Sequence, residues 1–126
     1  MKILTMKFGG TSVADIDRIR AVRDIISDEI KDGWCVVAVV SAMSKETNKL
    51  IDLAKQLGVE NLVDPEYDSL ISTGEDVSSS LLAIALNSIE ISSRSWRGWQ
   101  IPIITDSFHS NAKIEEIKTN QIINSF

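Results

Sequence analysis

The run CVVAVVSAM, residues 35–43, constrains the fold more than any other stretch of the chain. A strand with one wet face alternates apolar and polar side chains. Here the first six residues are all apolar and mostly β-branched. Such a run reads as a strand covered on both faces, the signature of a parallel sheet. Parallel neighbours need a long crossover, usually a helix. The preceding sequence supplies one. KILTMKF, residues 2–8, reads as a first strand. Val13, Ile16, Ile19, Val22, Ile26 and Ile30 then step by three and four, as a helical stripe does. Ser12 or Asp15 suits the helix N-cap, and Asp32-Gly33 its end. The result is a βαβ unit.

Beyond it, Ser44 to Thr47 reads as a turn or cap. A short helix follows through Leu50, Leu53, Ala54 and Leu57, ending at Gly58. Asp64-Pro65 opens a helical stretch over residues 66–88, with Leu70, Val77, Leu81, Ile84 and Ala85 on one side. Gly74 marks a break there, near residues 72–75. Residues 92–107, SSRSWRGWQIPIITDS, hold one or two strands, and Lys113 to Ile117 another. TNQIINSF, residues 119–126, opens a helix. The fold class expected is α/β, an open, mostly parallel sheet with helices on both faces, as a single domain.

Charge narrows the partners. The net charge is −5, with no lysine or arginine block. That speaks against nucleic acid or an anionic membrane surface. The apolar stretch Trp34 to Met43 is too short to span a bilayer. MKILTMKF has no long apolar region, so no signal peptide is expected. The single Cys35 reads as a buried, reduced thiol, which suits the cytoplasm. It has no basic neighbour in sequence to activate it.

KFGGTSV, residues 7–13, carries the chemistry. Two adjacent glycines weaken a regular element by roughly 0.5–1 kcal/mol each. At the carboxyl end of a parallel strand they would bare backbone N–H groups where open α/β sheets bind ligands. Lys7 and a following helix N-terminus add positive character, completing a cradle for phosphate. The pattern is neither a P-loop nor a dinucleotide loop. A plain glycine turn beside a surface lysine is the competing reading.

The wider sequence resembles the aspartate kinases. KFGGTSV, then VVSAMSKET, ISTGED and RSWRGWQIPIITD follow that family's order and spacing from Lys2 to about Ile114. The resemblance implies ATP-dependent phosphorylation of the β-carboxylate of L-aspartate, in the synthesis of the aspartate-derived amino acids. Mg²⁺ would be carried by the nucleotide. Lys7 would be catalytic, bridging the transferred phosphate. Phe8, Gly9 and Gly10 would line the ATP phosphates beside it. Ser41 and Thr47 would hold aspartate, and Glu75 would pair with its ammonium group. Each substrate residue also has a plainer reading. Ser41 and Thr47 suit capping positions, and Glu75 suits a helix's first turn.

Other residues carry less. Trp96 and Trp99 read as packing residues around a turn at Gly98, His109 as solvated, and Arg94 as surface or packing. The family commonly has glycine where Glu90 and Ser110 stand, and a small or hydroxyl residue at Arg97. Its later glycine-rich segment, of the form TTTLGRGGSD, is absent from these 126 residues. The resemblance therefore implies that residues 1–126 form the N-terminal portion of an amino acid kinase domain. The nucleotide-binding half and the regulatory domains would be absent. A separate chain carrying the missing half, or self-association, would follow. The alternative is an inactive remnant, or one chain of a split kinase acting as a binding or assembly module. A kinase of another substrate in the superfamily is disfavoured by SAMSKET and STGED.

Overall fold

The computed structural model describes residues 1–58 and 63–126. The elements in chain order are β1 (Ile3–Phe8), α1 (Ile16–Lys31), β2 (Cys35–Val40), α2 (Glu46–Gln56), α3 (Pro65–Asn87), β3 (Ile103–Thr105), β4 (Ile114–Ile117) and α4 (Asn120–Ile123).

β1 and β2 pair in parallel, from Ile3 opposite Cys35 to Phe8 opposite Val40. α1 is the crossover. Of the two candidate caps, Asp15 takes the position: its Oδ1 accepts the Arg18 N–H at 2.9 Å. Ser12 instead closes a turn, donating its N–H to the Gly9 carbonyl at 2.9 Å. The helix ends at Gly33, whose φ of +89° a side chain would resist. The Trp34 N–H reaches back to the Glu29 carbonyl at 3.1 Å, a Schellman closure.

The core lies on one face of this sheet. Phe8, Val13, Ile19, Val22, Ile26, Leu82 and Leu86 are buried together, with Met6, Val36, Ala38 and Val40 packed against them. Each large side chain so buried stabilises the fold by about 1.5–3 kcal/mol. α1 and α3 both pack here, and α2 packs on α3. The other face is different. Ile3 is 40% exposed and Val39 48%. The β2 strand, expected to be covered on both sides, is covered by this chain's helices on one. Its unbroken apolar pattern is a demand for two layers, and the described residues supply a single one. Cys35 is half-buried rather than buried, because it opens the strand.

α3 runs unbroken through Gly74, contrary to the break expected there. The glycine answers a packing need. A Cβ at that position would lie 3.0 Å from the Ala42 Cβ. Residues 92–102 contain no strand, and β3 is three residues long, in an antiparallel hairpin with β4. Trp96 is half-buried, with the Arg94 guanidinium 4.1 Å from its ring centroid. Trp99 is not a packing residue. It rides the 98–102 turn at 78% exposure.

Polar contacts join the hairpin region to α3. Asp68 accepts the Ser110 N–H at 3.0 Å and lies 3.1 Å from His109 Nδ1. These hydrogen bonds, the Ser110 N–H foremost, hold the Asp68 carboxyl below its ordinary value of 3.8. The Arg97 Nε lies 3.3 Å from Asp76 Oδ1. Among the described residues no helix is long and apolar enough to cross a membrane.

Candidate functional site

The parallel register brings the carboxyl ends of β1 and β2 side by side. The Ser41 N–H continues the ladder, donating to the Phe8 carbonyl at 3.0 Å. Both strands therefore release their chains at the same edge. One leads into Gly9-Gly10, the other into the strap 41–45. A cleft of about 470 Å³ opens there, lined by Gly10, Thr11, Ser41 to Lys45, Thr47 and Glu75.

Its walls have distinct characters. One is the start of α2. Lys45, the residue before that helix, is held at φ +66° and gives no side-chain cap. The Thr47 and Asn48 N–H groups find no acceptor among the described residues. A bare helix start of this kind favours anions. The α1 start, six residues beyond Gly10, offers less, because the Asp15 carboxylate already caps it. The uncapped helix start at this edge is that of α2, whose first-turn Glu46 is paired with Lys49.

The opposite wall is α3. Glu75 faces the cleft, and its Oε1 accepts the Ala42 N–H at 3.3 Å. Three residues on, the fully buried Ser78 donates its hydroxyl to the Ser41 carbonyl at 2.7 Å. Gly74, the residue before Glu75, allows the close approach that makes both bonds possible. On the strand side the fit is also tight. A Cβ on Gly10 would lie 3.3 Å from the Ala42 carbonyl oxygen.

Of the residues singled out in sequence, Gly10, Ser41, Thr47 and Glu75 share this cleft. Lys7, Phe8 and Gly9 do not line it. Phe8 turns its ring into the core at 9% exposure, leaving only its backbone for a ligand. Lys7 alternates to the other face of β1, beside Val39, with no ion pair among the described residues. It still stands at the same sheet end, next to Phe8, whose carbonyl holds Ser41. Gly9 has no atom within 4 Å of where a Cβ would be, so a ligand could reach its backbone. The sequence reading missed Ala42, Lys45 and Ser78. Ser78 is one of three consecutive serines, and periodicity alone could not distinguish it.

Known proteins share this sequence and fold. The amino acid kinase family model matches residues 2–126. An aspartokinase of Rickettsia conorii is 46% identical over 122 residues, covering 95% of this chain and 30% of the relative. An aspartokinase of Geobacillus stearothermophilus is 45% identical over 122 residues, covering 97% of this chain and 30% of that one. The crystal structure of aspartate kinase from Synechocystis superposes with a TM-score of 0.66 at 47% identity. It covers 71% of this chain and 15% of its own. The chain thus spans about 30% of the length of the curated relatives it matches.

Proposed function

The chain belongs to the amino acid kinase family, and from that premise we propose that it is the N-terminal, substrate-side portion of an aspartate kinase. The reaction is transfer of the ATP γ-phosphoryl group to the β-carboxylate of L-aspartate. The observation that carries this reading is the polarity of the cleft. The open start of α2, with Ser41 and Thr47 nearby, suits a carboxylate, and Glu75 faces it across the gap. An amino acid with a carboxylate at one end and an ammonium group at the other matches that layout.

The chemistry asks little else of the protein. A carboxylate nucleophile is ionised at pH 7, so no general base is required. The barrier lies in bringing one anion against another, which positioning and fixed positive charge lower. In this reading Ser41 and Thr47 orient the aspartate, Glu75 holds its ammonium group, and Lys7 meets the transferred phosphate. The Gly9-Gly10 backbone and that of Phe8 line the ATP phosphates. Mg²⁺, carried by the nucleotide, would offset phosphate charge there. The glycine-rich segment that completes nucleotide binding in the family is not among these 126 residues. The chain alone should therefore give no aspartate-dependent turnover.

The test is a chimera. Residues 1–126 replace the matching segment of the Geobacillus stearothermophilus aspartokinase, and ADP release is followed with ATP, Mg²⁺ and L-aspartate. Aspartate-dependent turnover is expected. Lys7→Ala should reduce it by about two to three orders of magnitude, from the loss of about 3–4 kcal/mol typical of removing a group aimed at transition-state charge. A folded but inactive chimera, or one indifferent to Lys7→Ala, would overturn the assignment.

A further inference from the structure

The Ser41 carbonyl and the Ala42 N–H are the two ends of one peptide unit, and α3 binds both. The Ser78 hydroxyl donates to the carbonyl at 2.7 Å, and the Glu75 carboxylate accepts from the N–H at 3.3 Å. The two side chains lie three residues apart, on one face of the helix. The unit is confined on its flanks as well. Gly74 brings the helix backbone against the Ala42 side chain, and Gly10 passes close to the Ala42 carbonyl. Rotating this peptide would break two hydrogen bonds, one of them to a hydroxyl with no exposed surface.

We propose that Ser78 is a positioning residue for the cleft. It acts through the Ser41–Ala42 peptide, without touching the ligand. By fixing the carbonyl end, it presents the Ala42 N–H to Glu75. That contact occupies Glu75 Oε1 and holds the carboxylate at the cleft wall, leaving Oε2 for a cationic group. The backbone clamp itself stands on geometry alone. Its effect on aspartate rests on the function proposed above.

The experiment is NMR on the 126-residue chain, with two readouts. The first is the Ala42 amide, observed across the carboxylate titration range. In the parent its shift should follow one carboxylate, and Glu75→Gln should abolish that response. Ser78→Ala should at least halve the response and speed Ala42 amide exchange up to about tenfold, as loss of one hydrogen bond allows. Ser78→Cys keeps the volume with a weak donor and should fall between the two. If Ser78→Ala lowers the melting temperature but leaves the Ala42 response and exchange unchanged, the residue is only structural and the proposal fails. The second readout is L-aspartate titration, followed at the Ser41 and Thr47 amides. Ser78→Ala should weaken binding by up to about tenfold. Unchanged affinity beside a perturbed Ala42 would overturn the positioning role. An aspartate-insensitive parent whose Ala42 follows Glu75 and Ser78 as stated would retire the aspartate reading and sustain the clamp.

Discussion

Residues 1–91 and 92–126 are built on different principles. In the first, strands and helices close over a shared apolar core, and every buried hydrophobic among the described residues lies at or before Leu86. In the second, the hairpin leaves Ile114 61% and Phe108 70% exposed, and polar contacts from Asp68 and Asp76 reach it from α3. The cleft belongs to the first region. One wall, α3, also buries the core, and α2, the other, packs on it, so the cleft inherits the rigidity of close packing through α3. The hairpin's placement rests on groups that water competes for. The lesson is that a site needing fixed geometry is assembled where burial, rather than charge, sets position.

The largest effect should come from emptying the core. Ile26→Ala is expected to cost about 2–5 kcal/mol, whereas Ile114→Ala in the hairpin should stay within about 0.5 kcal/mol. Urea unfolding of both variants checks this, and equal losses would erase the distinction between the regions. Next is Gly74→Ala. Helix propensity alone favours alanine by about 1 kcal/mol. The new Cβ would meet the Ala42 Cβ at 3.0 Å, and Ala42 is pinned by Glu75 and Gly10. Overpacking of this kind costs about 1–3 kcal/mol, so a net loss near 1 kcal/mol is expected in thermal melts. A stabilised variant would mean that the cleft strap yields.

A smaller gain tests the seam between the regions. Glu90 closes α3 at φ +64°, with the Ile91 N–H on the Leu86 carbonyl at 3.1 Å. That is the Schellman position where glycine is favoured. Glu90→Gly should stabilise by about 0.5 kcal/mol, the relief of a left-handed side chain less the added chain entropy. The smallest effect is the pH response of the hairpin tether. Asp68 titrates below its ordinary 3.8, so its contribution is complete above that pH and is lost as pH falls through the folded value. The Ser110 amide should shift in that acid window, and Asp68→Asn should remove the response without changing the core's melting.

Much of the first region was legible because its signals are local. The unalternating run 35–40 and the three-and-four stripe from Val13 to Ile30 dictate strand and helix wherever they are placed. Gly33 and Asp15 mark that helix's ends by their own chemistry. Gly74 misled because glycine reads as a helix breaker until its neighbour is known, and Ala42 lies 32 residues away in sequence. Ser78 and Lys45 escaped for the same reason, since their roles exist only once α3 meets the strap. The irregular course of 92–102 follows side-chain anchors such as Arg97 on Asp76, which carry no periodic mark. Glu90 and Ser110 departed from glycine in the resembling family, and both hold left-handed backbone here, so the turns persist without their usual residue.

The unbroken course of α3 has a mechanical consequence. One helix carries the hairpin's anchor at Asp68 and the cleft wall at Glu75, seven residues and two turns apart on the same side. That is a span of about 10 Å along the axis. A helix is stiff along its length, so it acts as a lever with a load at each place. A tug on the hairpin end that tilts or slides the rod must also move the carboxylate at the cleft. The exposed hairpin is thereby geared to the peptide that lines the cleft.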